Sequence, residues 1–320
     1  MRVLILGGTR FVGAALAKLL VENGNDVTVS SRRPEGAPSG LKVFGGERMA
    51  AISSLAQAPP FDTIIDFTAY NSYSVKHALA AFPSARYFFI SSIWVTKLHS
   101  GMLADSLVPA EISKIVNVPE ITRKYLEGKS GAELEVYKAH LSGRRAVVLR
   151  FPIVWGINDH TGRLDFYRSR VTDGAEQILV DGGHNYVQLG WRDDLAEALA
   201  RLVKMKESNI PLLLDGLGDI GVPVKDLNEL IAFAEGVKAR PISVSREKLT
   251  SQLPEYLDRE PLWREIGLPV SKVNLFTMTG WRPHAIQSWL TDVIRNIPAG
   301  SELDDHRIKE IEFIKRCIHA

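Results

Sequence analysis

The sequence predicts an α/β fold in which a parallel sheet is covered by helices on both faces. In the first half of the chain, short apolar runs alternate with segments whose apolar residues recur at helical spacing. Strands that are apolar on both faces and alternate with helices are typical of a parallel sheet buried on two sides. Right-handed crossovers would place the carboxyl ends of the strands along one edge, where ligands bind in such sheets.

The elements of the first half follow from runs of Val, Ile, Leu and Phe and from the helical segments between them. The predicted strands are Val3–Leu6, Asp26–Ser31, Leu41–Phe44, Thr63–Phe67, Arg86–Ser91 and Ala146–Phe151. The predicted helices are Phe11–Asn23, Met49–Ala56, Ser72–Ala81 and Ile121–Leu141.

After Pro152 the pattern loosens, and we expect a smaller C-terminal α/β part. The predicted elements there are the helices Arg192–Lys206, Val224–Glu235 and His284–Asn296 and the strand Leu212–Asp215. A final helix would bury one face, formed by Ile308, Ile311, Ile314 and Ile318. The sequence therefore predicts a first domain over 1–155 and a second part over 156–320.

Composition restricts the class of protein. The chain has 320 residues, 45% hydrophobic and 24% charged, as ordinary globular proteins do. A net charge of +2 argues against non-specific nucleic-acid binding. One cysteine, Cys317, allows neither an internal disulfide nor a thiolate cluster. The first strand starts at once and no apolar run is long enough to span a membrane, so we expect no signal peptide and a cytoplasmic protein.

A glycine-rich turn follows the first predicted strand. Gly7 permits a sharp turn, Gly13 permits close packing of helix on strand, and the N–H groups of the helix start would face phosphates. This order is typical of a Rossmann-type dinucleotide site. Arg10 stands where the middle glycine of such turns is usual. The candidate cofactor contacts in this turn are Gly7, Thr9, Arg10, Phe11, Val12 and Gly13.

The second predicted strand ends in basic and hydroxyl residues. Ser31, Arg32 and Arg33 stand at its end, and no carboxylate stands among them. A ribose 2′-hydroxyl is usually met by Asp or Glu at this place, whereas a 2′-phosphate is met by Arg. The sequence therefore favours NADP over NAD. The alternative is that Arg32 and Arg33 belong to a solvated basic loop.

Tyr125 and Lys129 are four residues apart on a predicted helix, so both side chains lie on one face. An ammonium beside a phenol favours the phenolate and makes tyrosine a usable acid or base. Ser91 and Ser92 end a core strand of the same sheet, which would bring a hydroxyl to the same edge. The alternative for these serines is an ordinary strand end.

In the order of its motifs, the chain resembles the extended short-chain dehydrogenase/reductase superfamily, in its NAD-dependent epimerase/dehydratase family. Its glycine turn, with arginine at the second glycine position, resembles an atypical subgroup that includes chloroplast RNA-binding relatives. The matching segments are Gly7–Phe11, Gly46–Arg48, Phe67–Tyr70, Ser91–Ser92, Tyr125 with Lys129, Leu149–Gly156, Trp191–Ala196 and Gly280–Pro283.

The resemblance implies roles for particular residues. Ser92, Tyr125 and Lys129 match the catalytic residues of the family. Further cofactor contacts are implied for Glu47, Thr68, Ala69, Phe151 and Ile153, besides Tyr125 and Lys129 themselves. Weaker substrate contacts are implied for Tyr70, Trp94, Arg163, Asp165 and Arg192. A dimer through helices that include the Tyr125 helix is also implied.

Two departures from the family pattern bear on chemistry. Ile93 and Trp94 follow Ser92, where family dehydratases carry an Asp-Glu pair, so we expect no dehydration. The span from Ser92 to Tyr125 is longer than usual, and its segment Lys97–Val118 is predicted to be a flap over the substrate. The eight histidines show no ligand spacing, so we predict no metal site.

The sequence thus predicts an NADP-dependent reductase or epimerase. Its substrate would carry a keto or hydroxyl group on a sugar-like, nucleotide-activated molecule. Two alternatives remain open on the same scaffold: an RNA-binding or RNA-processing protein, and a regulator that binds NADP without turnover.

Overall fold

The computed structural model describes several stretches of the chain. They are residues 1–38, 40–97, 120–205, 210–218, 221–265, 267–268, 270–297 and 304–317. The predicted flap, Lys97–Val118, lies outside the described residues apart from its first residue.

The secondary structure of the described residues alternates strands and helices from the first residues onward. The strands are β1 (Arg2–Leu6), β2 (Asp26–Ser31), β3 (Lys42–Gly45), β4 (Thr63–Asp66), β5 (Arg86–Ser92), β6 (Ala146–Phe151), β7 (Ile153–Trp155), β8 (Gln177–Val180), β9 (Tyr186–Val187), β10 (Leu189–Trp191), β11 (Leu213–Asp215), β12 (Val222–Pro223) and β13 (Pro241–Val244). The α-helices are α1 (Phe11–Glu22), α2 (Arg48–Leu55), α3 (Ser72–Ala81), α4 (Trp94–Lys97), α5 (Glu120–Leu141), α6 (Arg163–Thr172), α7 (Arg192–Lys204), α8 (Val224–Glu235), α9 (Arg246–Gln252), α10 (Pro254–Arg259), α11 (Leu275–Thr279), α12 (Ile286–Asn296) and α13 (Asp305–Cys317).

Seven of these strands form one parallel sheet in the order β11-β6-β5-β4-β1-β2-β3. The order runs outward in both directions from β1 and β4, so the sheet is doubly wound and a ligand crevice is expected beside β1 at the carboxyl edge. The predicted fold class is confirmed, and the predicted elements of the first half lie within one residue of the observed ones.

Alternate residues of the strands face two separate apolar cores. Val3 and Ile5 face one side, where they pack with α1, α7 and α11. Leu4 and Leu6 face the other, where they pack with α2, α3 and α5. Burial of both faces explains why the strands of the sequence are apolar throughout rather than alternating.

The chain divides into two compact units, and each unit is formed by more than one segment of the chain. The first unit comprises Met1–Val154, Arg192–Gly218 and Val270–Pro283, and the second comprises the rest. The first segment ends one residue before the predicted boundary at 155, and two later segments return to the first unit. They return because β11 pairs with β6 and because Leu195 and Leu199 of α7 pack with the α1 core.

The second unit has its own core. It contains the parallel pair β8–β13, and apolar side chains of β8, α9, α10 and α13 pack together there. The predicted face of the last helix is corrected in part: Ile314 is buried and Ile311 half-buried, but Ile308 is 45% exposed, and Arg307 and Glu310 are buried. Ile318 lies outside the described residues. Ion pairs that Arg307 and Glu310 form with each other and with α6 and its C-cap place the charged face inward.

Candidate active site

The turn between β1 and α1 brings the glycine segment to the carboxyl edge of the sheet. Gly7 has a φ of +92°, and its N–H donates to the carbonyl oxygen of Ser30 at 2.8 Å. A Cβ added at Gly13 would lie 2.4 Å from the Gly7 carbonyl oxygen. Helix α1 can therefore start this close to β1 only with glycine at residue 13, which is the approach that a dinucleotide pyrophosphate needs.

Arg10 precedes α1 as its N-cap residue, and its side chain is exposed. It makes no side-chain cap, and the hydrogen bond from Ala14 N–H to Arg10 O, at 3.0 Å, closes the first helical turn. N–H groups in the first turn of a helix have no acceptor within the helix, and they attract phosphate. Phe11 begins α1 with a φ of +47°, a strained value for a non-glycine residue.

The end of β2 is tied to the same turn. Thr9 Oγ1 donates to Ser31 Oγ at 2.8 Å, and Ser31 Oγ also accepts from the N–H of Arg33 at 3.1 Å. Arg32 and Arg33 are exposed beside this bond. Two hydroxyls and two exposed arginine residues thus lie at the corner where β1 and β2 end.

A buried ion pair shapes the turn after β4. Arg48 binds both oxygens of Asp66, at 2.8 and 2.5 Å. Asp66 Oδ1 accepts from the backbone N–H groups of Thr68 and Ala69, each at 3.0 Å, and Oδ2 accepts from the hydroxyl of Tyr87 at 2.6 Å. Burial, together with Asp66, raises the pKa of Tyr87 well above its usual value, so this phenol remains a donor.

Lys129 lies under that turn, and its side chain reaches the ends of two central strands. The ammonium donates to Ala69 O and Ile90 O, both at 2.8 Å, and lies 4.8 Å from the ring centroids of Tyr70 and Phe89. The residue is 3% exposed, and burial lowers its pKa from 10.5 to about 8. A lysine with this pKa is still mostly charged at neutral pH, but it loses its proton when the pH rises only slightly above neutral.

Tyr125 precedes Lys129 by one helical turn, on the same face of α5. It is 38% exposed, and its ring centroid lies 6.3 Å from that of Tyr70. The structure therefore places a solvent-accessible phenol near a buried ammonium at the sheet edge. Such an arrangement suits proton transfer to a bound molecule.

Ser91 and Ser92 differ in their surroundings. Ser91 is buried and donates to Glu133 Oε1, and Glu133 in turn forms two hydrogen bonds with Arg150, at 3.0 and 2.6 Å. Ser92 is half-buried, and its Oγ accepts from the N–H of Trp94 at 3.3 Å. Ser91 therefore belongs to a buried network, and Ser92 is the more accessible of the two hydroxyls.

Three further predicted cofactor contacts belong to the same unit. Glu47 is exposed at the start of α2. Phe151 and Ile153 are buried, and the ring of Phe151 packs edge-on against Phe67 with centroids 6.5 Å apart. Glu47 and Phe151 lie at the carboxyl ends of their strands, as Thr9, Ser31 and Ser92 do.

The predicted substrate contacts are less concentrated. Trp94 starts α4 directly after β5 and is half-buried. Arg192 starts α7 and forms an ion pair with the adjacent Asp193 at 2.7 Å. Arg163 and Asp165 lie in the first turn of α6, in the second unit.

Four charged residues near this edge were missed by sequence reasoning. Arg48, Asp66, Glu133 and Arg150 all form the buried pairs described above. A signal for three of them was present: Asp66 and Arg150 interrupt apolar strands, and Glu133 follows Lys129 at helical spacing. A charge within an apolar strand is rarely tolerated unless it is paired.

The fold is similar to that of several solved structures, although no protein-family model and no curated protein sequence matches the chain. UDP-glucose 4-epimerase of Thermus thermophilus, in complex with NAD, is 18% identical over 92% of this chain and 99% of that one, with a TM-score of 0.66. UDP-glucuronic acid 4-epimerase of Bacillus cereus, in complex with UDP-glucuronic acid and NAD, is 15% identical over 92% and 99%, with a TM-score of 0.68.

A dehydratase has a similar structure as well. The dTDP-glucose 4,6-dehydratase of Streptomyces venezuelae, solved with NAD bound, is 17% identical over 92% of this chain and 96% of that one, with a TM-score of 0.66. The similarity spans both units of the chain. The chain thus has the fold of nucleotide-sugar epimerases and dehydratases, the fold that its resemblance to extended short-chain dehydrogenases/reductases implied.

Proposed function

We propose that this chain is a nicotinamide-dinucleotide-dependent reductase or epimerase acting on a keto or hydroxyl group of a nucleotide-activated sugar. The observation that carries the proposal is Lys129: a buried ammonium held at the carboxyl ends of β4 and β5, one helical turn from the accessible phenol of Tyr125. Burying an ammonium is costly, and a buried titratable group with a lowered pKa at a ligand-binding edge supports a functional role.

The residues of the β1–α1 turn fit a dinucleotide. The space beside Gly13 is closed to any side chain, and α1 begins without a side-chain cap. In the proposal, this turn holds the pyrophosphate, Glu47 contacts the adenine, and Thr68, Ala69, Phe151 and Ile153 line the remainder of the site.

The form of the cofactor is proposed from the end of β2. Ser31, Arg32 and Arg33 offer hydroxyl and guanidinium donors for a ribose 2′-phosphate, and Arg10 adds a third exposed guanidinium. The similar epimerases and dehydratase carry NAD. We propose NADP for this chain because Ser31, Arg32 and Arg33, and not a carboxylate, stand at the end of β2.

A nicotinamide ring bound at this edge would supply hydride exchange with a substrate carbon. Tyr125 would hold or release the proton at the reacting oxygen, and Ser92 would donate a hydrogen bond to that oxygen. Two of the three N–H bonds of Lys129 are used by Ala69 O and Ile90 O, which leaves one for a ribose hydroxyl. Its charge would favour the phenolate of Tyr125.

The substrate class is proposed from the similar structures, which include UDP-glucose and UDP-glucuronic acid epimerases. Tyr70, Trp94, Arg163, Asp165 and Arg192 are the proposed substrate contacts. Ile93 is buried and no acid stands beside Ser92, so we propose that the chain does not dehydrate its substrate. A dimer through α5 also stays a prediction.

The decisive experiment separates binding from turnover. NADPH and NADH are titrated into the wild type and the Tyr125→Phe variant, and oxidation of the reduced cofactor is followed with a panel of UDP- and dTDP-linked 4-keto sugars. Because an epimerase shows no net oxidation, interconversion of UDP- and dTDP-linked sugar epimers is followed separately by NMR with the oxidised cofactors. We expect NADPH to stabilise both proteins against heat and only the wild type to turn over. Salt-sensitive retention of RNA without stabilisation by either cofactor would overturn the proposal in favour of an RNA-binding protein. Stabilisation by NADPH without turnover of any sugar, in either protein, would favour a regulator.

A further inference from the structure

Tyr70 combines a fixed backbone with an open side chain. The N–H of Ala69 donates to Asp66, and Asn71 caps α3 by accepting from Ser74 N–H at 2.9 Å. The carbonyl of Tyr70 itself lies against Gly128, where an added Cβ would be 2.1 Å from the oxygen. Tyr70 as a whole is nevertheless 55% exposed.

This ring forms one wall of the lysine pocket. The Lys129 ammonium lies over the rings of Tyr70 and Phe89, 4.8 Å from each centroid. Phe89 is 0% exposed and Tyr70 is 55% exposed, yet Lys129 between them is only 3% exposed. Of these two aromatic walls, Tyr70 is therefore the one that separates the ammonium from solvent.

Charged groups from several elements act on the ammonium besides burial. Burial lowers the pKa of Lys129 most, Asp66 of β4 and Glu133 of α5 raise it, and Arg48 of α2 lowers it, with a result of about 8. Access of water is thus the largest influence on this group. Removing an aromatic ring that covers the ammonium would therefore change the pKa of Lys129 mainly by letting water reach it.

We propose that Tyr70 is a positioning residue of the Tyr125–Lys129 pair: its ring closes the solvent side of the lysine pocket and holds the ammonium against Ala69 O and Ile90 O. The catalytic consequence rests on the proposed function, but the closure of the pocket does not. The same ring, 6.3 Å from Tyr125, also fixes one border of the space around that phenol.

The test is the titration of the Lys129 ammonium in protein without ligand. Lysine labelled with ¹⁵N at Nζ is followed by NMR between pH 6 and 11, and Lys129→Met assigns the signal. In Tyr70→Ala we expect the pKa to rise from about 8 by about one unit or more toward 10.5, because water reaches the ammonium. In Tyr70→Phe we expect a change below about 0.3 units, because the cover is kept.

Two further variants keep the inference falsifiable. Tyr73→Ala removes another exposed tyrosine, 67% exposed on α3, and should leave the titration unchanged. Tyr70→Leu restores bulk without an aromatic face, and should fall between Tyr70→Phe and Tyr70→Ala. A Tyr70→Ala protein that is folded by circular dichroism and titrates as the wild type does would overturn the inference.

The activity readout distinguishes this inference from the proposed function. If turnover is found, the alkaline limb of the pH profile of kcat/KM should shift in Tyr70→Ala by the same amount as the titration. An unshifted limb would show that Lys129 does not control the rate. If Tyr70→Ala shifts the titration but the wild type turns over no nucleotide sugar, the inference about Tyr70 and Lys129 is supported and the proposed function is wrong.

Discussion

Gly128 of α5 lies directly against the main-chain oxygen of Tyr70, which a Cβ at residue 128 would approach to 2.1 Å. Three residues further along the same helix, a Cβ at Gly131 would meet the Cβ of Ser72 at an ordinary 3.9 Å. Two glycines of one helix therefore face the segment from Tyr70 to Ser72 at different distances. Only at residue 128 does the close approach require glycine, and this residue directly precedes Lys129.

Alanine at these two positions should have opposite effects. Gly128→Ala forces α5 away from the Tyr70 carbonyl, and we expect a loss of about 1–3 kcal/mol in the free energy of unfolding. Gly131→Ala has room, and helix propensity predicts a gain of up to about 1 kcal/mol. Denaturant unfolding of both variants measures this difference, and equal effects would contradict the close approach.

The stability of the protein should depend on Lys129 between about pH 8 and pH 10.5. Folding lowers the pKa of this group from 10.5 to about 8, so the unfolded chain binds the extra proton in that interval. The free energy of unfolding of the wild type, relative to Lys129→Met, should therefore rise with pH across it, by up to about 3 kcal/mol. Urea unfolding of both proteins at pH 7.5, 9 and 10.5 tests this, and a flat difference would refute it.

The Glu133–Arg150 pair should be sensitive to the loss of one partner. Both side chains are buried, so Arg150→Met leaves a carboxylate without its cation, and we expect a loss of about 3–5 kcal/mol in the free energy of unfolding. Glu133→Leu combined with Arg150→Met should lose less than Arg150→Met alone. Lys18→Met, which breaks the exposed Lys18–Glu22 pair, should change stability by less than about 0.5 kcal/mol. If the double variant is the least stable, the pair is not acting through desolvation.

Arg32 and Arg33 should set the preference between the two cofactors. If they bind a 2′-phosphate, replacing both by alanine should lower the ratio of NADPH to NADH affinity about tenfold or more, since charge-assisted hydrogen bonds are lost. Lys42→Ala, at the amino end of β3 and paired with Asp26, is the matched control and should leave the ratio unchanged. Fluorescence titration of both cofactors measures it, and an unchanged ratio would assign the arginines to a solvated loop.

Local patterns in the sequence were sufficient for the sheet and the glycine turn. Strands buried on both faces are continuous apolar runs, and helices beside them have a different period, so their boundaries could be placed within one residue. The Tyr125–Lys129 spacing lies within one helix and was therefore visible as well. These features depend on residues that are close in the sequence.

Contacts between distant residues were not predictable in the same way. Arg48 and Asp66 are 18 residues apart and Glu133 and Arg150 are 17 apart, and only the fold shows that each pair meets. For the same reason the buried face of the last helix was predicted only in part. Arg307 and Glu310 are buried because they pair with charged residues on α6 and at its C-cap, and a pattern of apolar residues cannot indicate such pairs. The requirement for glycine at residue 128 was not predicted either, because it arises from the carbonyl oxygen of Tyr70, which is distant in the sequence.

The return of α7 and β11 to the first unit has a consequence for any attempt to dissect the gene. A fragment ending near residue 155 would leave β6 as a bare edge and uncover the apolar side of α1, which normally lies against Leu195 and Leu199. Such a fragment should self-associate instead of folding alone. Exchanging the first unit between related proteins would therefore require three separate inserts, because its residues lie in three segments of the chain.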